Sequence, residues 1–155
     1  MAPRSRRWTG AFGPGARIRD MKSPAGVLAE ALQSWPGVRL AVLFGSAARG
    51  SAAPGSDVDV GVLFETGRED AAVLEVALAR VTGRRVDVVR LDVAPPLLRF
   101  EIARDGRLLL EQTPYAWVDF RARAMTDWWD WAPTARFLHA AAVARLRAAV
   151  ADGSP

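Results

Sequence analysis

The stretch LFGSAARGSAAPGSDVDVGVLF, residues 43–64, sets two aspartates, Asp57 and Asp59, into a valine run that otherwise reads as a buried strand. Side chains on a strand alternate between faces, so both carboxylates point one way while Val58, Val60 and Val62 point the other. Two like charges on one face repel each other, and desolvating them is costly unless a positive group offsets it. No Lys, Arg or His lies within the strand, which points to a positive partner from outside the protein.

Upstream, the apolar run 38–44 reads as another strand and ends in Gly45-Ser46, followed by Ala47-Ala48-Arg49-Gly50. A glycine at a strand end lets backbone N–H groups come close to a phosphate, a short helical turn after it aims its positive end at the same anion, and Ser46 adds a hydroxyl donor. Downstream, RRVDVVRL (84–91) reads as a third strand and carries Asp87. Gly-Ser after a strand is most often a plain turn, and a lone strand aspartate is most often ion-paired. The weight lies in the whole order: strand, Gly-Ser, ten residues, Asp-x-Asp, then a further aspartate on a later strand. Hard divalent cations such as Mg²⁺ take oxygen ligands and are held by a few carboxylates together with substrate phosphates. Paired ions of this kind activate an attacking hydroxyl and neutralise a leaving pyrophosphate. On this reading Asp57 and Asp59 come within metal-bridging distance of Asp87.

GSAARGSAAPGSDVDVGVLF together with RRVDVVRLD resembles the nucleotidyltransferases of the DNA polymerase beta superfamily, specifically the minimal nucleotidyltransferases that act as antitoxins. The resemblance covers roughly residues 22–112, and APPLLRFEIARDGRLLLE is similar to the segment after the third aspartate in these antitoxins. It implies an α+β fold, a small mixed β-sheet flanked by helices, with C-terminal helices. It implies that Gly45 and Ser46, with Arg49 and Ser56, bind the nucleotide, and that Asp57, Asp59 and Asp87 are both the catalytic and the metal-binding residues, Asp87 as base or its metal-bound equivalent. The cofactor is then Mg²⁺, as two ions, with ATP as substrate. The implied reaction moves AMP to a hydroxyl, a tyrosine in this family, of a cognate HEPN-type RNase toxin, which it inactivates, and a hetero-oligomer is the corresponding assembly. Two alternatives stand beside it: transfer to a small molecule such as an aminoglycoside, for which residues 92–155 leave little room, and a non-enzymatic module that binds and blocks its partner.

Length and composition are consistent with this. The 155 residues are 50% hydrophobic, enough for one core, and a large multidomain enzyme is excluded. With no cysteine there is no disulfide and no thiolate metal site. No apolar run approaches the roughly 18 residues of a membrane span, and the N-terminus lacks the apolar core of a secretory signal. A cytoplasmic protein without a membrane partner is the expectation. The formal charge of +4 arises entirely within residues 1–20, where five arginines face Asp20; the rest of the chain is formally neutral. Direct binding to nucleic acid is therefore not expected. One lysine against 20 arginines points to a compositional bias of the genome rather than to selection for arginine.

Three units are expected: a disordered basic tail over 1–20, or an extension upstream of a start at Met21; a catalytic core over 21–112; and a helical segment over 113–155 packed on it. Ser23 and Pro24 open a helix carrying Leu28, Leu32 and Trp35 and ending at Pro36-Gly37. EDAAVLEVALARVTG (69–83) reads as a helix with acids in its first turn, Val73, Ala77 and Val81 along one apolar stripe, and Gly83 as its stop. Pro95-Pro96 open a short helix, Asp105-Gly106 turn into the strand RLLLE, and 116–150 is helical with a break at Pro133. His139 reads as a solvated helix residue. Trp128, Trp129 and Trp131 lie on both sides of one helix and cannot all face a small core, so at least one should be exposed toward a partner.

Overall fold

The computed structural model describes residues 23–152 apart from Pro54, Arg68 and Glu69. The expected tail over 1–20 lies outside the described residues. Helix α1 (Pro24–Gln33) begins at the expected cap, with Ser23 Oγ accepting from the Gly26 N–H at 3.2 Å. The chain then runs through β1 (Val38–Phe44), a single turn α2 (Gly45–Arg49), β2 (Val58–Phe64), α3 (Ala71–Thr82), β3 (Val86–Arg90), α4 (Pro96–Asp105), β4 (Arg107–Glu111) and α5 (Ala116–Asp152). The fold is α+β, as expected.

The four strands form one mixed sheet in the order β3-β2-β1-β4. β1 is antiparallel to both β2 and β4, and β2 is parallel to β3, joined by the α3 crossover. Strand alternation then sends side chains to two cores. On one face Val58, Val60 and Val62, all fully buried, pack with Leu28 and Leu32 of α1 and Leu74 and Leu78 of α3. On the other, Leu40 and Val42 pack with Leu91, Ile102 of α4 and Phe120 and Ala124 of α5. Each fully buried leucine contributes about 1.5–3 kcal/mol relative to an exposed one. Gly61, on this second face, leaves room for Leu91: a Cβ there would stand 2.6 Å from Leu91 Cδ2.

Two expectations about α3 are corrected. Its buried stripe is Leu74 and Leu78, while Val73 and Val81 are about half exposed (52% and 53%); the sequence carries two apolar stripes one residue apart, and the larger leucines take the core. Asp70 is the N-cap of α3, accepting from the Val73 N–H at 3.2 Å, rather than a first-turn acid. Nor does the C-terminal helix break: α5 runs through Pro133. Proline removes one N–H, leaving the carbonyl four residues earlier without its helical donor. Both Pro133 and Trp129 are exposed, on the solvent side of the helix.

Candidate active site

The acidic corner is built by three strand ends. β1 ends where antiparallel β2 begins, with Phe44 beside Asp59, and β3 begins at the same edge of the sheet, with Asp59 beside Asp87. Asp57 immediately precedes β2, on the face of Asp59. Val58, Val60 and Val62 fill the opposite face and fix this register, since a slip of one residue would bury the carboxylates and expose the valines.

Gly45 closes the corner from the β1 side. Its φ of 68° lies in the left-handed region, and a Cβ on it would overlap Asp59 Oδ2. The turn α2 starts without any side-chain cap, so its first N–H groups, at Ser46 and Ala47, are not taken up by a capping side chain. Gly50 ends the turn with φ 72°, and the Ser51 N–H donates to the Ser46 carbonyl at 3.0 Å. Arg49 sits exposed in the last position of the turn. Ser56 is held by its backbone: its N–H donates to the Ala53 carbonyl at 3.0 Å, and its own carbonyl accepts from Arg84 Nη2 at 2.6 Å.

The electrostatics are set by this crowding. The Asp59 carboxyl is pushed above the usual aspartate range by burial first, then by the negative charges of Asp87 and Asp57, with Arg49 pulling the other way. Arg85 supplies the nearest positive charge: its Nη1 is 3.6 Å from Asp57 Oδ2 and its Nε 3.3 Å from Asp87 Oδ1. Sequence reasoning missed this partner, because it lies on the neighbouring strand and only the parallel register places it beside Asp57. No three Asp, Glu, His or Cys side chains among the described residues converge closely enough to hold one ion, so the expected approach of Asp57 and Asp59 to Asp87 within metal-bridging distance is not met by the side chains. The backbone brings the three acids to one edge; the side chains of Asp57 and Asp87 pair with Arg85, and Asp59 does not. The donor chemistry fits a divalent ion all the same: three carboxylates at the edge of one face, one of them, Asp59, destabilised as an anion by burial first and then by the other two.

Away from this edge, His139 is exposed, as expected. Among the three tryptophans, Trp128 is half-buried and stacks on Phe100 with ring centroids 5.2 Å apart, whereas Trp129 is 71% exposed and Trp131 is at the margin of exposure.

A glycine-ended strand feeding a one-turn helix, beside an Asp-x-Asp strand paired in parallel with a further aspartate, defines the nucleotidyltransferase class of site. The family described as Polymerase beta, Nucleotidyltransferase matches residues 27–115, and the chain belongs to it. No curated protein is significantly similar in sequence. Among solved structures, a chain of a toxin–antitoxin complex with AMP-PNP superposes with a TM-score of 0.59 at 22% identity, covering 81% of this chain and 98% of that one. A chain of the MntA-HepT toxin–antitoxin gives 0.54 at 21%, covering 82% and 97%. A third, from the tri-AMPylated Shewanella oneidensis HEPN toxin in complex with MNT antitoxin, gives 0.55 at 21%, covering 82% and 96%. At these identities the likeness is one of fold. No helix among the described residues is long and apolar enough to cross a membrane.

Proposed function

We propose that the chain is an antitoxin that transfers AMP from ATP, with Mg²⁺, to a tyrosine hydroxyl of a cognate HEPN-type RNase toxin and so neutralises it. The observation that carries the reading is the pairing of Asp59 with Asp87 at the strand edge that Gly45 closes. Similar folds in toxin–antitoxin complexes, one of them with a tri-AMPylated HEPN toxin, support the choice of acceptor.

In the proposed reaction the acceptor oxygen forms a bond to the α-phosphorus while the bond to pyrophosphate breaks. Asp87 takes the hydroxyl proton, or passes it to solvent. Ser46 and the N–H groups at the start of α2, which no side chain caps, hold the departing phosphates, with Arg49 at the end of the same turn adding positive charge and Ser56 lining the entry loop. Asp57, Asp59 and Asp87 would hold a pair of Mg²⁺ ions, which supply Lewis-acid neutralisation of the reacting phosphate. In this scheme residues 21–112 do the chemistry and 113–155 serve docking.

Incubation with α-labelled ATP, Mg²⁺ and the product of a neighbouring gene tests it. Label on a tyrosine of that protein is the expected result. Label on a small acceptor would move the enzyme to the aminoglycoside type, and a complex that blocks the partner without any label would leave a binding module.

A further inference from the structure

We propose that Arg85 is the resident counter-cation of the acidic corner: it neutralises the carboxylates while no divalent ion is bound and turns to the nucleotide phosphates when one is. The inference rests on the nucleotidyl-transfer reading. It starts from backbone register. Strands β2 and β3 run parallel with Val58 beside Val86 and Asp59 beside Asp87, and the Val58 N–H donates to the Arg85 carbonyl at 3.0 Å. One residue earlier along both chains, Arg85 falls beside Asp57. Residues two apart on a strand share a face, so Arg85 stands on the face of Asp87 as Asp57 stands on that of Asp59. An Asp-x-Asp segment is thus matched by Arg-x-Asp, three acids and one base at the corners of a rectangle. The guanidinium spans it, 3.6 Å from Asp57 and 3.3 Å from Asp87.

The two adjacent arginines differ in how they are held. Arg84 is half-buried and anchored to the Ser56 carbonyl at 2.6 Å. The Arg85 side chain is 72% exposed, and no hydrogen bond fixes it to the backbone among the described residues. Ion pairs this long and this exposed are weak. A divalent ion carries twice the charge and bridges carboxylates directly, so it displaces the guanidinium. A guanidinium does not lose its proton, and the displaced side chain remains a cation within its own length of the site. A polyphosphate offers the planar fork its best available match. One side chain then has two effects of opposite sign: it competes with the bare ion and it assists the ion-bound nucleotide.

Calorimetric titrations of Arg85→Gln, Arg85→Lys and the wild type measure both signs, with Mn²⁺ alone and with a non-hydrolysable ATP analogue in saturating Mn²⁺. Arg85→Gln is expected to bind Mn²⁺ alone about threefold tighter or more, for loss of a competing charge, and the analogue about fivefold weaker or more, for loss of a charge-assisted contact. Arg85→Lys keeps the charge and should bind Mn²⁺ as the wild type does while recovering part of the nucleotide affinity. Unchanged or weaker Mn²⁺ binding by Arg85→Gln would overturn the competition, and tighter Mn²⁺ binding with unchanged nucleotide affinity would overturn the turn to phosphate. If the wild type takes up no Mn²⁺ and behaves as Asp57→Asn does, the transfer reading itself falls, and this inference with it.

Discussion

At the scale of single residues, the corner depends on what Gly45 lacks. Its φ of 68° and the overlap any Cβ would make with Asp59 Oδ2 combine two penalties in one position. Gly45→Ala should cost about 1–2 kcal/mol of stability for the left-handed backbone alone. It should also push the Asp59 carboxylate out of line and weaken nucleotide binding about tenfold or more, the equivalent of one lost charge-assisted contact. Wild-type nucleotide affinity in a folded Gly45→Ala protein would remove Asp59 from the site. Asp59 carries a second prediction, in pH. Its carboxyl is raised above the unfolded value of 3.8 by burial, then by Asp87 and Asp57, against Arg49. The folded state therefore keeps this proton to higher pH than the unfolded chain does, so protonation favours folding. In metal-free protein the contribution of Asp59 to stability is highest below 3.8 and declines as pH rises through the raised value. Subtracting the pH profile of Asp59→Asn from that of the wild type isolates it, and a difference that grows in the opposite direction, or none, would contradict the assignment.

At the scale of elements, α5 sorts the tryptophan cluster. Trp128 stacks on Phe100 of α4, and Trp129, one residue on, is 71% exposed. Trp129→Ala should therefore change folding stability by no more than about 0.5 kcal/mol, as for surface positions generally. If the partner docks on α5, the same change should weaken the complex by about 2 kcal/mol or more, read by calorimetry with the partner while ATP-analogue binding stays constant. Trp128→Ala is the control, losing stability instead. A Trp129→Ala protein that binds its partner as the wild type does would place the docking surface elsewhere. Elements also differ in how legible they are in the sequence. Strong local signals suffice for α1, with Ser23 and Pro24 at its start, and for the alternating valines of β2. They fail for α3, whose Val73-Ala77-Val81 and Leu74-Leu78 stripes fit the helical period equally well, and only packing on the sheet selects between them. Pro133 misleads because its helix-breaking tendency is local, whereas the helix that runs through it is set by the fold as a whole. The three aspartates are legible by order and spacing. Arg85 is not: the helix between β2 and β3 implies that they run parallel, but a slip of two residues would preserve every inward valine while separating Asp57 from Arg85 and Asp59 from Asp87.

At the scale of the whole molecule, charge decides what the site can bind unaided. The net +4 of the chain belongs to residues 1–20, and the remainder is formally neutral, so residues 21–155 bring no net positive charge to a nucleotide. A nucleoside triphosphate carries several negative charges and would meet three carboxylates, of which Asp59 is already disfavoured as an anion by burial and then by Asp87 and Asp57. Like charges about 4 Å apart repel by roughly 4 kcal/mol at an effective dielectric constant near 20. Arg85 and Arg49 offset only part of that. Chelation of divalent ions should therefore weaken ATP-analogue binding by about a hundredfold or more, some 2.7 kcal/mol. In the same metal-free protein Asp57→Asn should recover part of the analogue's affinity by removing one repulsive charge, although it disables the metal-dependent reaction. Binding that is equally tight with and without divalent ions would mean that the phosphates lie away from the aspartates, and the carboxylate corner would then need another explanation.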